Sequence, residues 1–455
     1  MTRLCNIVLF AIFLGSGAII MFVGIGHDRF LTSALRAAFF LGVPILGLSV
    51  SIGALFLPAE IKLPLTVTLT SAIIGVYAAE LYLTVDSTSS VVPQGAPGNF
   101  DTRTKFEVVT DMRKSGLKAY PAVLPGYFLE THLDGTLRSP LSVRGREVLP
   151  LGGVARSVTV LCNEPGYYVK FKSDRYGFNN PDHVWVHDSV DVLAVGDSFT
   201  QGYCVDPQQQ YMSLIRSAFP KTVNLGVSGN GPLMEFAALA EYGSQLKPKV
   251  VLWFFFEGND VQGNLKVERR SPLLMNYLKT KMRQQLAGFH DELDRAYRNN
   301  IDQRLRADPT SRDTDAGPLQ DVISFVGGSR LRSKFFGSGA HGILDFKLFE
   351  EVIENAVAHT KSWGGKFLFV YIPTSARVIN PESARSEMIL SQVRNGVINI
   401  VTRLGIEKID LLSAVQSHPD PLSLYPFRSY GHFNARGHAM VAQRVLKVVD
   451  RLLTD

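Results

Sequence analysis

The sequence predicts an α/β protein: a parallel sheet with helices on both faces, preceded by helices long enough to cross a membrane. Through the second half of the chain, short apolar runs alternate with helix-compatible stretches. That alternation favours parallel strands joined by helical crossovers. At the N-terminus, three apolar runs each have about the length that spans a bilayer. These two observations define the fold class.

Residues 1–86 are predicted to form a three-helix transmembrane anchor. The apolar runs cover residues 5–26, 34–57 and 63–84, with short polar links between them. A signal peptide has one short apolar region, so three long runs favour an anchor. No basic residue follows directly in 86–99, which favours export of the domain that comes next.

The remainder divides into a linker, a small subdomain and a larger domain. Residues 87–100 are rich in Ser, Pro and Gly and are interpreted as a linker. Residues 101–187 contain short apolar runs cut by Gly and Pro, which predicts a β-rich subdomain. In 188–455 we expect parallel strands at residues 190–196, 222–226, 249–256, 366–372 and 406–411. A charged helical insertion at about 262–345 interrupts this alternation, and we expect it to act as a lid or docking element.

Charge and cysteine content narrow the function classes. The net charge of +6 is modest for 455 residues, and the basic residues alternate with acids at helical spacing, as in 291–298. Such helices are typical of solvated faces, so we expect no nucleic-acid partner. No His/Cys cluster has zinc-ligand spacing, and we expect no metal and no cofactor. Cys162 and Cys204 either form a bridge in an oxidising compartment or are two unrelated buried thiols.

The most informative segment ends in Gly196-Asp-Ser198. It is a short apolar run followed by a helix-compatible stretch. The loop after such a strand lies at the carboxyl edge of the sheet, where open α/β folds place their sites. Ser198 is therefore either a helix cap or a nucleophile.

Three further positions extend this pattern. Gly229 follows the second predicted strand, Asn259 lies in Gly-Asn-Asp after the third, and His432 lies near the C-terminus. In this order and spacing, the four positions resemble the SGNH (GDSL) hydrolase family. The resemblance covers about residues 188–262 and 365–452.

This resemblance implies a flavodoxin-like, three-layer parallel sheet and a serine acyl-transfer site. Ser198 would be the nucleophile and His432 its base. The Ser198 and Gly229 backbone N–H groups and the Asn259 side chain would stabilise the oxyanion. His438 is a competing histidine, but it begins a helix and is expected to pack or cap.

The chain departs from the family where the catalytic acid should stand. An aspartate usually precedes the histidine by two or three residues, and here those positions are Tyr430 and Ser429. Neither side chain carries a negative charge near neutral pH. Asp420, on the same loop, is the leading substitute, and a main-chain carbonyl is the alternative.

By resemblance, we expect a serine esterase that removes acyl groups, O-acetyl above all, from a cell-surface glycan or glycolipid. We expect a multi-pass protein of the bacterial inner (cytoplasmic) membrane, because three spans with a cytoplasmic N-terminus place the soluble domain in the periplasm or outside the cell. An O-acyltransferase on a surface polysaccharide and a non-catalytic scaffold of surface-polymer export are the alternatives. Both alternatives would have surface-polysaccharide biosynthesis proteins as partners. No Gly-x-Ser-x-Gly elbow is present, which disfavours a conventional lipase.

Overall fold

The computed structural model of the chain describes residues 2–25, 41–89, 96, 98–124, 128–307, 331, 344–379, 384–429 and 431–454. Two compact units are present. The first holds the N-terminal helices within Met1–Ser90, and the second holds Val91–Ala316 with Leu344–Asp455.

The N-terminal unit contains the helices Thr2–Ile25, Val43–Leu55 and Ala59–Ser89. Arg3–Met21 and Ala59–Leu83 are long and apolar enough to cross a membrane, and only 17% and 11% of these stretches is buried. The middle helix is shorter, and the first part of its predicted span lies outside the described residues. Two of the three predicted spans are thus supported, by length and composition alone. The first helix would also fit a signal sequence.

The predicted β-rich segment holds seven short strands and the helix Lys105–Lys114. The strands are β1 (Ala119–Pro121), β2 (Glu130–Thr131), β3 (Leu137–Arg138), β4 (Ser142–Val143), β5 (Arg146–Glu147), β6 (Val158–Val160) and β7 (Lys170–Lys172). β1 pairs parallel with β6, and β6 pairs antiparallel with β7, while β2/β3 and β4/β5 form two small hairpins.

The hairpin between β6 and β7 extends beyond its paired strands. The Leu161 N–H donates to the Val169 carbonyl, and the Val169 N–H donates to the Cys162 carbonyl, both at 2.9 Å. At the tip, the Gly166 N–H donates to the Asn163 carbonyl at 2.8 Å and closes a tight turn. Glu164 lies in that turn.

The larger part is built on a five-stranded parallel sheet, as predicted. Its strands are β8 (Val192–Val195), β9 (Thr222–Asn224), β10 (Val250–Phe256), β11 (Lys366–Ile372) and β12 (Glu407–Asp410). The spatial order is β12-β11-β10-β8-β9, which is the flavodoxin-like order expected from the resemblance. The order reverses between β8 and β10, so the loops after these strands flank the crevice where such folds bind ligands.

Helices cover both faces of this sheet because alternate strand residues are apolar on each side. Leu193, Val195 and Trp253 pack on one face, and Val192, Ala194 and Phe254 on the other, all at most 1% exposed. Each large apolar side chain buried this way contributes about 1.5–3 kcal/mol. The helices are Ser198–Gln201, Tyr211–Ala218, Pro232–Ala238, Ser244–Leu246, Phe346–Lys361, Ala376–Ile379, Ala384–Arg403, Leu412–Gln416 and Ala435–Thr454.

The described part of the insertion contains the helices Leu265–Glu268, Pro272–Lys279 and His290–Ala307. It supports the β-rich segment. Gln284 Oε1 accepts from the Leu149 N–H, and Asp294 Oδ1 accepts from the Ala155 N–H, both at 2.8 Å. The rest of the expected lid, residues 308–330 and 332–343, lies outside the described residues.

Candidate active site

The loop after β8 presents Ser198 at the carboxyl edge of the sheet. Asp197, not Ser198, caps the following helix, since its carboxylate accepts from the Phe199 N–H at 3.0 Å. The Ser198 hydroxyl does not cap the helix; its Oγ lies 3.3 Å from Asp197 Oδ2, and the residue is 7% exposed. Gly196 has φ +157°, and a Cβ there would lie 2.1 Å from Thr200 Oγ1. Only glycine fits this approach of the loop to its helix.

His432 faces Ser198 across the end of the sheet, with its Nε2 2.7 Å from the Ser198 Oγ. Two local features hold the imidazole in place. Asn434 caps the last helix through a bond from the Arg436 N–H at 2.9 Å, which fixes the loop. The rings of Phe199 and Tyr203 pack on the imidazole at centroid distances of 4.7 and 4.9 Å.

The carboxylate on this histidine is Glu164, from the tip of the β6–β7 hairpin. Glu164 Oε1 lies 2.9 Å from His432 Nδ1, and Oε2 accepts the His432 backbone N–H at 2.8 Å. Both carboxylate oxygens thus engage one residue, which fixes the position and rotation of the ring. Gly431 makes room for this contact, because a Cβ there would lie 2.5 Å from Glu164 Oε2.

Asp420, the expected substitute for the missing acid, does not contact His432. It forms an ion pair with Arg428, at 2.7 and 2.9 Å, and its side chain is 47% exposed. The arginine on its own loop therefore binds the carboxylate, and the acid at His432 is Glu164 instead. Ser429 donates its N–H to the Pro426 carbonyl, and Tyr430 lies outside the described residues.

His438 packs, as expected. Its ring is fully buried and stacks on Tyr211, and its Nδ1 accepts the Tyr211 N–H at 3.1 Å. Burial, and to a lesser degree the charge on His432, lower the pKa of His438 to about 3. A neutral imidazole that accepts a backbone bond is a structural group.

The charges around His432 favour its imidazolium. Burial alone would lower the pKa of His432, but the Glu164 carboxylate, with a smaller effect from Asp197, outweighs burial and raises it. Burial likewise opposes ionisation of Glu164, yet the contact with His432 lowers the pKa of Glu164 below its ordinary range. The two shifts have the signs expected of a hydrogen-bonded acid–base pair.

The three expected oxyanion groups follow β8, β9 and β10, which are neighbours in the sheet. Within the described part of the chain, no protein acceptor takes the N–H of Ser198 or Gly229. Gly229 adopts φ +79°, a left-handed conformation that suits glycine. Asn259 lies near the buried Asp197 carboxylate and acts to lower its pKa, although burial raises that pKa overall. The Asn259 Oδ1 has no protein partner among the described residues.

Cys162 and Cys204 are joined in a disulfide, with their Cα atoms 5.5 Å apart. The bridged alternative of the sequence analysis therefore applies. Sγ of Cys204, a carboxylate oxygen of Glu164 and a ring nitrogen of His432 lie within 4.8 Å of one another. The sulfur is already bonded, so this group is not a metal-ligand set.

Glu164 is the site residue that sequence reasoning missed, because it precedes the region of the resemblance. One signal could have found it. In Cys162-Asn-Glu-Pro-Gly166, Glu164 is the acid that follows Cys162, and a bridge to Cys204 brings it to the nucleophile loop. The prediction would have required the bridge to be taken as formed.

The sequence model of the GDSL-like lipase/acylhydrolase family matches residues 194–440 of this chain. No curated protein matches the chain. Among solved structures, the acetyl xylan esterase AlAXEase is 14% identical, with 57% of this chain and 100% of that chain covered and a TM-score of 0.33. A lipase/acylhydrolase from Enterococcus faecalis is 12% identical, with 58% and 97% covered and a TM-score of 0.33. Because the family match spans more than half of the chain, this protein belongs to the GDSL-like lipase/acylhydrolase family and is a serine ester hydrolase of the SGNH type.

Proposed function

We propose that the protein is a membrane-anchored esterase that cleaves short acyl esters, O-acetyl above all, from a cell-surface glycan or glycolipid. One observation carries the proposal. An unbroken chain of contacts runs from the Ser198 hydroxyl through both nitrogens of His432 to the Glu164 carboxylate. That arrangement is what a serine needs in order to attack an ester.

In the acylation step, the Ser198 Oγ attacks the ester carbonyl while His432 Nε2 takes its proton. Glu164 accepts the Nδ1–H bond, so it holds the tautomer with Nε2 as acceptor and stabilises the imidazolium. The imidazolium then protonates the departing alcohol oxygen, and the sugar hydroxyl leaves. In the second step His432 activates water, which releases the acid and restores Ser198.

The negative charge of each tetrahedral intermediate would be met by Ser198 N–H, Gly229 N–H and the Asn259 amide. Loss of one such donor typically costs about 10²–10³ in rate. The buried Asp197 carboxylate caps the helix of the nucleophile and so fixes the loop that carries the Ser198 N–H.

The position of Leu124 is the reason to expect a short acyl group in the substrate. Its side chain lies against Gly229, 3.3 Å from the position a Cβ would take there. An apolar side chain so close to an oxyanion residue limits the space for the acyl chain. In Leu124→Ala we expect the ratio of kcat/KM for p-nitrophenyl hexanoate over acetate to rise about tenfold, a change of roughly 1.4 kcal/mol. An unchanged ratio would remove Leu124 from the acyl pocket.

The location and the substrate class rest on separate arguments. Two apolar helices precede the catalytic unit, and a disulfide beside the active site requires an oxidising compartment. Together these features support an anchored enzyme that works outside the cytoplasm. A glycan or glycolipid ester is the acyl donor that the SGNH resemblance favours at such a surface.

A fluorophosphonate probe tests the machinery directly on the full-length protein in detergent. We expect labelling and p-nitrophenyl acetate hydrolysis in the parent, neither in Ser198→Ala, and strong reduction of both in His432→Ala. Asp420→Asn is the matched control and should retain both. Absence of labelling in the folded parent would overturn the proposal. Acetylated oligosaccharides, with deacetylated ones as acceptors, then separate hydrolysis from acyl transfer.

A further inference from the structure

We propose that the Cys162–Cys204 disulfide is the positioning device of the catalytic carboxylate: it holds Glu164 on His432, so the full rate requires the oxidised bond. The inference rests on the proposed function, because it assigns a role to groups around the same Ser198 site. It identifies two positioning residues and a dependence of the reaction on thiol oxidation.

The covalent path between the two halves of the site is short. Asn163 alone separates Cys162 from Glu164, and Cys204 follows the helix that begins at Ser198. Two extended residues span at most about 7 Å, so the carboxylate cannot travel far while the bond is closed. The bond therefore links the acid to the nucleophile loop independently of the histidine contact.

The other contacts of the hairpin tip mostly stay within the β-rich segment. Asn163 Nδ2 donates to the Asp101 carbonyl at 2.9 Å, and the Asp101 N–H donates to the Gly166 carbonyl at 2.8 Å. Towards the hydrolase part, the Tyr167 hydroxyl donates to Asp206 at 3.1 Å, at an exposed position. An exposed hydrogen bond of this kind contributes little on balance. The disulfide and the apolar packing of the hairpin around Cys204 are therefore the main ties, and only the disulfide is covalent.

Cys204, at the other end of the disulfide, has an unfavourable backbone conformation. Cys204 adopts φ +63°, in the left-handed region that a non-glycine residue enters at a cost of about 1–2 kcal/mol. Its neighbour Tyr203 packs on the imidazole of His432. When the bond opens, this loop is free to relax, and both the acid and the ring contact lose a constraint.

The redox step balances as an ordinary thiol–disulfide exchange. One cysteine thiolate attacks an oxidant that carries an internal disulfide, which breaks that S–S bond and forms a mixed disulfide. The second cysteine thiolate then attacks the protein sulfur of the mixed disulfide, which forms the Cys162–Cys204 bond and releases the oxidant as a dithiol with the two electrons and two protons. A dithiol reductant reverses the exchange and becomes a disulfide itself. The reduced enzyme keeps Ser198 and His432 as a dyad but holds Glu164 loosely.

The test is a double-mutant cycle, carried out on the full-length protein in detergent. Turnover of p-nitrophenyl acetate is compared for the parent, the Cys162→Ala/Cys204→Ala double variant, Glu164→Gln and the combined variant. In the otherwise unchanged protein, we expect loss of the disulfide to lower kcat by about 5–50-fold and to change KM by less than about twofold. In the Glu164→Gln background, the same loss should lower kcat by less than about twofold, because the carboxylate that the disulfide positions is already gone. Chemical reduction of the parent, verified by mass spectrometry, should match the double variant.

Two controls separate positioning from general damage. Cys5→Ala removes the remaining cysteine, lies outside the site and should respond to reductant as the parent does. The acidic limb of the pH–rate profile should move to lower pH in the double variant, as it does in Glu164→Gln, because the imidazolium loses its carboxylate. A merely destabilising change would leave that limb in place.

The outcomes divide cleanly. An unchanged kcat after reduction, or an equal fall in the parent and Glu164→Gln backgrounds, would overturn the positioning role. A variant that has lost its fold would show the same fall in kcat in both backgrounds. Absence of fluorophosphonate labelling in the oxidised parent is a different failure, since it would overturn the proposed function itself.

Discussion

Glu164 differs from the acid expected in this family because it arrives from outside the sheet. The usual aspartate stands just before the histidine on the same loop, where Ser429 and Tyr430 stand in this chain. Here the carboxylate binds the His432 ring through one oxygen and the His432 backbone N–H through the other. This two-point contact fixes both the ring and the loop that carries it.

Replacement of Glu164 separates it from its competitor. In Glu164→Gln we expect kcat for p-nitrophenyl acetate to fall by roughly 10²–10⁴, because the amide neither fixes the tautomer nor stabilises the imidazolium. Asp420→Asn should stay within about twofold of the parent, since this exposed carboxylate pairs with Arg428. The reverse ranking of the two variants would show that Asp420 acts on His432 in solution.

The pH dependence follows from the raised pKa of His432. The base must be neutral, so kcat/KM should rise with pH through a pKa above the ordinary value of about 6.5. Burial acts against this shift and the Glu164 charge produces it. In Glu164→Gln, the pKa of His432 falls and the acidic limb moves to lower pH. An acidic limb at the same pH in both proteins would contradict the assignment.

At the scale of elements, the strands were predictable because they depend on local sequence patterns. Each of the five predicted strands is present, and the central strands β8 and β10 are apolar throughout because they are covered on both faces. The edge strand β12 is only partly buried and mixes charged with apolar residues. The placement of Ser198, Gly229 and Asn259 at one edge of the sheet was predictable, since each follows a predicted parallel strand and parallel strands share a carboxyl edge. The place of Glu164 was not predictable, because the packing of a hairpin tip against the end of a distant sheet is a tertiary contact that no sequence periodicity indicates.

The loop Asp174–Asn180, before the sheet, is organised by one buried carboxylate. Asp174 accepts from the N–H groups of Tyr176 and Phe178, from Asn180 Nδ2 and from Trp185 Nε1, at 2.7–2.9 Å. Asn180 in turn accepts from Arg216 and from the Asn224 N–H on β9, so the loop joins the β-rich segment to the sheet. Asp174 thus links the two parts that together make the site.

In Asp174→Asn we expect the free energy of unfolding to fall by about 2–4 kcal/mol, because an amide can satisfy at most two of these four donors. Burial raises the pKa of Asp174 to about 6, so a measurement at about pH 8 compares the amide with an ionised carboxylate. Urea unfolding followed by fluorescence gives the difference. A loss below about 0.5 kcal/mol would mean that the loop is held by its other contacts.

At the scale of the whole molecule, the N-terminal helices are the basis of the proposed location at a membrane. Their side chains are mostly exposed although they are apolar, as in Ile7 at 65% and Ile74 at 63%. Such surface is costly in water and is suited to a lipid environment. We therefore expect the full-length chain to sediment with membranes, to resist extraction at alkaline pH and to be released by detergent.

Protease added to intact spheroplasts should then degrade the catalytic unit if it lies outside the cytoplasmic membrane. The disulfide points the same way, because its formation needs an oxidising environment. Release of the chain by alkaline extraction would exclude an integral anchor. Protection from protease until the membrane is broken would place the catalytic unit in the cytoplasm, where the bond would be reduced.

The hydrogen bonds that join Glu164, His432 and Ser198 connect distant parts of the chain, so we expect the site to form late in folding. They link residues 268 and 234 positions apart in the chain, whereas the sheet forms from shorter-range pairings. Contacts across such separations bear the largest loop-closure entropy and tend to form after local structure. A partly folded chain could therefore hold a nearly complete sheet and still be inert. Hydrolysis would begin only when the last segments have docked, so catalytic activity reports on the finished molecule.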